Sequence, residues 1–327
     1  MCQPFVVSCR GFAFLVTRVV ALSCLAGTLI CSSTSNLWAQ AEVTAEKDDA
    51  VVVELIDAGS APRRELRFSP KPGDEQTAVM TMDMQMKMTI QGQQAPQQKL
   101  PAQRITMKVV VDDVKPNGNI SFHFVYTDIK VVDDPNNPSP AAAQIQQMVA
   151  PMIGMTGKGI SSNRGITLSG SVDVPPNAPA PIKQQLDGMK DAINRLSSPV
   201  PEEAIGVGAR WSVSQRIDAN GMKMEQKSIH ELTELGDDGF AMTITISQTA
   251  GPQQVKNDAL PPNVKLSLTS LKTSGKGSSR FVIGSVLPLR ASVSAESEVD
   301  MLMEIGGNQQ RMTTETTIKT SFEPPAN

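Results

Sequence analysis

The sequence predicts a mainly β protein: an antiparallel curved sheet or half-barrel built from two related β modules, with one or two amphipathic helices packed on it. Three observations predict this. Apolar residues recur at every second position over long runs, the pattern of a strand with one buried and one wet face. The runs are separated by Asn-Gly, Asp-Gly and Gly-Gly pairs, which mark hairpins and therefore antiparallel pairing. A Gly-Lys-Gly segment occurs twice, at 157–159 and 275–277, each time behind a similar succession of strands and turns. Two β-sandwich domains are the alternative reading of the same pattern.

The N-terminus has the layout of an export signal. Residues 18–30, RVVALSCLAGTLI, are a positive flank and an apolar core, shorter than the roughly 20 residues that cross a bilayer. Ala39-Gln40-Ala41 fits the small-residue cleavage pattern. Residues 1–41 are thus expected to be a signal peptide cleaved after Ala41, and the protein to be exported, periplasmic or extracellular. The signal takes Arg10 and Arg18 with it, which moves the formal net charge from −3 to −5. That acidic balance lacks the basic stripe a nucleic acid requires. Cys2, Cys9, Cys24 and Cys31 all lie in the signal. The mature chain is then expected to have no disulfide, no thiolate nucleophile and no cysteine metal site. No later run is long and apolar enough for a membrane helix, so a soluble mature protein is expected.

The mature chain divides into expected parts. Residues 42–62 read as a mobile segment, because the stretch opens with small and charged residues. The first module covers 63–175 and the second 205–327, with an extra C-terminal hairpin; a linking helix lies within 176–204. In the first module the run 80–90, MTMDMQMKMTI, turns Met80, Met82, Met84, Met86, Met88 and Ile90 to one face. Ile105, Met107, Val109 and Val111 continue the alternation, Asn117-Gly118 turns the chain, and Ile120, Phe122, Phe124 and Tyr126 return it. Residues 141–153 read as a weak helix broken by Pro151. In the linker, Ile182, Leu186, Met189, Ile193 and Leu196 recur at steps of four and three, a narrow apolar helix stripe stopped by Pro199 and Pro201. The second module repeats the β pattern from Trp211 through Asn220-Gly221, Asp238-Gly239 and Gly306-Gly307. Each Gly-Lys-Gly reads as a turn between strands.

Chemistry-bearing constellations are scarce. Only His123 and His230 exist, neither beside a marked nucleophile, and there is no Gly-x-Ser-x-Gly. Gly154-x-x-Gly157-Lys158 has the wrong spacing for a phosphate loop. The chain reads as non-enzymatic, with no cofactor and no metal. The methionine run would suit Cu(I) by its soft sulfur, but no His or Cys completes a site, so a Met-rich copper-binding protein is the weakest of three functional readings. Met is unbranched and polarizable and makes pliable apolar walls. The expected ligand-lining set is Met80, Met82, Met84, Met86, Met88, Ile90, Met107, Phe122, Phe124 and Met242 from strands, with Ile182, Leu186, Met189 and Ile193 from the linking helix.

The segments 55–59 (LIDAG), 62–68 (PRRELRF), 72–74 (PGD) and 207–211 (VGARW), with the Met-rich strand between them, resemble a family of exported bacterial β-rich proteins, a domain of unknown function. The resemblance spans most of the mature chain and rests on turns and strand starts. It implies an envelope address and brings no catalytic residue. The leading expectation is therefore an exported non-catalytic binding protein for an apolar ligand, a lipid or lipoprotein segment. A structural or interaction protein of the envelope is second.

Overall fold

A computed structural model describes residues 51–133, 140–173, 198–219, 221–255 and 264–326, and the statements below concern these. Residues 1–41, expected to be an export signal, and the expected helix stripe at 182–196 lie outside the described residues. The strands are β1 (Val52–Asp57), β2 (Glu75–Ile90), β3 (Gln93–Gln94), β4 (Gln98–Val114), β5 (Ile120–Val132), β6 (Thr156–Ser161), β7 (Thr167–Val172), β8 (Arg210–Ala219), β9 (Met222–Leu235), β10 (Gly239–Ala250), β11 (Gln253–Val255), β12 (Val264–Val282), β13 (Arg290–Ile305) and β14 (Asn308–Glu323). They form one sheet in the order β1-β8-β9-β10-β12-β13-β14-β2-β4-β5-β6-β7, with β11 on β12 and β3 on β2. The pairs are antiparallel and the sheet does not close into a barrel. The two halves thus share one sheet, and the reading as two sandwich domains is set aside. The join is β14, which pairs with β13 on one side and with β2 on the other.

Each half is an up-and-down meander that opens in the same way. Gly73 and Gly208 take positive φ of 89° and 84°, conformations glycine adopts without steric cost. Gly73 N–H donates to Val111 O (2.8 Å) and Val111 N–H to Asp74 O (3.0 Å). In the other half Gly208 N–H donates to Leu232 O (2.8 Å) and Leu232 N–H to Ala209 O (2.9 Å). Residues 52–57, expected within a mobile segment, instead form an edge strand paired with β8.

One helix, α1 (Pro140–Val149), and a 3₁₀ turn at Ala150–Met152 lie between β5 and β6. Proline suits the first helical position and stops a helix further along, which accounts for Pro140 and Pro151. The far half of β5 extends beyond β6, so its backbone needs other partners. Gln146 of α1 supplies them: it accepts from Val131 N–H (2.8 Å) and donates to Ile129 O (3.2 Å).

Both Gly-Lys-Gly segments are strand interiors, which corrects the turn reading. Gly157 and Gly159 lie in β6 opposite Phe124 and Phe122; Gly275 and Gly277 lie in β12 opposite Ile246 and Ile244. A Cβ on Gly157 or Gly159 would overlap the facing Phe ring, and one on Gly277 would stand 2.5 Å from Ser292 O. Glycine here gives a large cross-strand side chain room to lie flat over the backbone. Gly157→Ala is expected to destabilise the fold by about 1–3 kcal/mol through overpacking, while Lys158→Ala, on the exposed face between the two glycines, should stay within about 0.5 kcal/mol of the parent. Urea unfolding of the two variants checks the contrast.

The cores sit on one face, here called inner. The first joins Leu66, Phe68, Val200, Ile205 and Ala209 to strand residues Val111, Ile120, Trp211, Val213, Leu232, Phe240, Met242 and Phe281. Strands from both halves of the sheet meet in it, so the sheet curls around the segments 58–69 and 198–209. Those segments are stitched together by Arg64 and Ile205, and to the β6–β7 turn by Phe68 N–H to Asn163 O (2.7 Å) and Val200 N–H to Arg164 O (2.9 Å). The second core packs Val149, Met152 and Met155 on Ile105, Val109, Phe124, Tyr126 and Ile129. A third, smaller cluster of Val255, Leu268 and Leu271 sits towards the other end of β12.

Candidate functional site: the inner face of the sheet

Side chains alternate between faces along a strand, and directly paired residues share a face. The cross-strand register therefore resolves the inner face into rows. One row runs Trp211, His230, Ile244, Gly277, Val293, Thr320 and Met82. The next runs Val213, Ser228, Ile246, Gly275, Ala295, Ile318, Met84 and Leu100. Between the first core and the small cluster these rows make an apolar floor. Ile244, Ile246, Val293, Ala295, Ile318, Met82 and Met84 are each half-buried on it.

The same register shows where charge goes. In β2, β8, β9, β10, β12, β13 and β14 every Asp, Glu, Lys and Arg falls in the outward set. In β13 these are Arg290, Glu296, Glu298, Asp300 and Glu304; in β14, Arg311, Glu315, Lys319 and Glu323. Outward charges pair with each other, as Lys87 with Glu315 at 3.1 Å and Arg280 with Glu234 at 2.6 Å. Asp300 accepts from Thr313 Oγ1 (2.5 Å) and Arg311 Nη2 (3.0 Å), and these bonds hold its carboxyl below the ordinary range.

One row of the inner face is polar over six neighbouring strands: Gln215 of β8 at its edge, then five side chains, Gln226, Gln248, Thr273, Ser297 and Thr316. Gln248 Nε2 donates to Gln226 Oε1 (2.5 Å) and Thr273 Oγ1 donates to Ser297 Oγ (2.9 Å). All five side chains are half-buried.

The expected lining residues part company. Met82 and Met84 lie on the open floor, and Met86 and Met88 are buried further along β2. Met80, Met107 and Phe122 pack against the second core, where Phe124 is buried; Met242 is buried in the first. Phe124 and Met242 are therefore core rather than lining. Ile90 pairs with Met312 at the far end. Ile182, Leu186, Met189 and Ile193 lie outside the described residues. Sequence reading did not assign Ile244, Ile246, Val293, Ala295, Ile318 or the polar row to the site.

Neither histidine is an ordinary isolated strand residue. His123 Nδ1 stands 2.6 Å from Asp112 Oδ1, a partner eleven residues away that the hairpin brings alongside. His230 is 1% exposed, stacks on Trp211 with ring centroids 5.3 Å apart, and its Nε2 shares a 2.9 Å hydrogen bond with Ser228 Oγ. Burial drives its pKa down to about 4, so it is neutral at neutral pH. Its Nδ1 has no partner. A depression of about 650 Å³ also crosses the sheet, but its lining is mostly outward residues such as Gln85, Lys87, Lys272, Ser274, Glu296 and Glu298. It runs between two outward rows, and its lining takes in the strand positions between them, Met86, Gln248, Thr273, Ser297 and Thr316.

No protein-family model matches the chain, and no curated protein does. Among solved structures, the outer membrane protease OmpT from Escherichia coli aligns at 9% identity over 80% of this chain and 99% of that one, with a TM-score of 0.23. OccK2 (OpdF) from Pseudomonas aeruginosa aligns at 8% identity over 77% and 98%, with a TM-score of 0.18. A mutant of the Rh. blastica porin aligns at 6% over 75% and 100%, with a TM-score of 0.17. Similarity at this level carries no functional argument.

Proposed function

We propose that the protein is an exported, non-catalytic binding protein of the bacterial cell envelope that holds an apolar ligand, a lipid or lipoprotein segment, against the inner face of its half-barrel. One observation carries the reading: seven adjacent strands put every formal charge outward and leave a half-buried, charge-free floor inward. Stability alone needs a filled core, and the packed clusters supply that. An apolar floor that stays half-buried beyond them is the surface a ligand would cover. A membrane-spanning barrel turns an apolar band outward; the outward rows here, such as Thr243, Thr245, Ser247 and Thr249, are polar and exposed. The proposed protein is therefore soluble after signal removal.

Two open sheet edges favour the second reading, a protein that works by contacts with other proteins. β1 presents Val52 and Ile56, 49% and 54% exposed, beside an edge without a strand partner among the described residues. Native mass spectrometry of the mature protein, with Nile red titration, tests the first reading. Co-purifying lipid and saturable dye uptake are expected. Ile318→Glu, which puts a carboxylate on the floor between Ala295 and Met84, should weaken dye uptake by at least about tenfold. A clean apo mass without dye uptake overturns the reading.

A further inference from the structure

We propose that the polar row Gln226–Gln248–Thr273–Ser297–Thr316 recognises the ester linkage of a glycerol acyl ester whose chain lies on the neighbouring apolar floor. The inference rests on the binding function proposed above and names the class of ligand. The row is the interruption that needs explaining. On either side of it, strands β10, β12, β13 and β14 contribute Ile246, Gly275, Ala295 and Ile318, or Ala250, Leu271, Val299 and Thr314. A floor meant only for hydrocarbon gains nothing from five hydrogen-bonding side chains in register across it, because half-buried polar groups left without partners cost stability.

Their bonding decides what they take. Gln248 gives its amide N–H to Gln226, and Thr273 gives its hydroxyl hydrogen to Ser297. What remains to offer is neutral: donors at the Gln226 amide nitrogen, the Ser297 hydroxyl and the Thr316 hydroxyl, and an acceptor at the Gln248 amide oxygen. Donors in a neutral setting suit a carbonyl oxygen. They do not suit a carboxylate or phosphate seated at that depth, since among the described residues the inner rows of these strands carry no cation to compensate its charge. They do not suit an ammonium, since these inner rows carry no carboxylate to compensate its charge. An acyl ester meets both conditions: an uncharged carbonyl for the row and a chain for the floor. Adjacent rows lie roughly 6.6 Å apart, two strand residues, so linkage and first methylenes reach both at once.

The test displaces Nile red from the delipidated mature protein with glyceryl monolaurate and, separately, with laurate at pH 8. The ester is expected to displace the dye at a concentration at least about tenfold lower than laurate. The variant Thr273→Val/Ser297→Ala/Thr316→Val should take up dye within about twofold of the parent yet lose about tenfold in monolaurate affinity. If the triple variant unfolds, Thr316→Val alone serves, because that hydroxyl makes no bond within the sheet, and a loss of about threefold is expected. Dye uptake with equal displacement by ester and carboxylate, or with monolaurate affinity unchanged in the variants, overturns the inference and leaves the binding function standing. No dye uptake, or a native mass showing two copies locked together with the floor closed to dye, overturns both.

Discussion

Trp211→Ala is expected to cost about 3–5 kcal/mol of folding stability, the range for removing a large buried aromatic side chain. Trp211 is 0% exposed and sits where β8 meets the segment 198–209. Its Nε1 donates to Pro199 O at 2.9 Å, and its ring covers His230. Alanine leaves a cavity, an unpaired carbonyl and a histidine without its stacked partner. The position also decides the shape of the sheet. Strand pairing does not close the half-barrel; the segments 58–69 and 198–209 draw its two ends together. Trp211→Phe keeps an aromatic face over His230 and loses the indole N–H, so a smaller loss is expected. Urea denaturation of parent and both variants orders them. A Trp211→Ala protein within about 1 kcal/mol of the parent would mean that the segment does not anchor the sheet.

The sequence disclosed local pattern well and long-range pairing poorly. β2 was legible because its methionines alternate with polar residues over a whole strand. The two-residue turn between Ile305 and Asn308 was legible because Gly306 and Gly307 supply the positive φ values such a turn needs. β12 was not seen as one strand, because Gly275, Gly277 and their serine neighbours carry turn composition. Glycine is tolerated there because Ile244 and Val293 fill the space a Cβ would occupy, and those neighbours come from other strands. The pairing of β14 with β2 joins residues more than two hundred positions apart, and no local signal specifies it. The site suffered the same limit. Alternation gave the face of each methionine but not its depth, so Phe124 and Met242 were read as lining when they are core. The polar row is visible only once five strands are aligned, since each strand contributes a single unremarkable Gln, Ser or Thr. The segregation of charge, by contrast, was available strand by strand: the charged residues of β13 all fall at even positions.

Acidification from pH 6.5 to 4 should progressively destabilise the protein, and His230 should account for most of that change. Burial lowers its pKa from 6.5 to about 4. Between these values the unfolded chain binds a proton that the folded chain refuses, so stability rises with pH across the window. The contribution is fully present above about pH 6.5 and is lost as the pH falls through about 4; a shift of this size corresponds to about 3 kcal/mol. The cause is structural. The ring is enclosed under Trp211, no carboxylate partners either nitrogen, and Ser228 provides one neutral hydrogen bond. Asp300 titrates elsewhere: its carboxyl is held below the ordinary value of 3.8, so its contribution is present above that value and is lost only in stronger acid. The window from 6.5 to 4 therefore separates the His230 contribution from that of Asp300. Ser228→Ala/His230→Phe keeps an aromatic ring against Trp211 and removes both the titrating nitrogen and the hydroxyl that would lose its partner. Chemical unfolding of this variant at pH 7, 5.5 and 4.5 should give a nearly flat profile where the parent falls. If the two profiles stay parallel, the acid sensitivity lies in other groups and the enclosure of His230 has no energetic consequence.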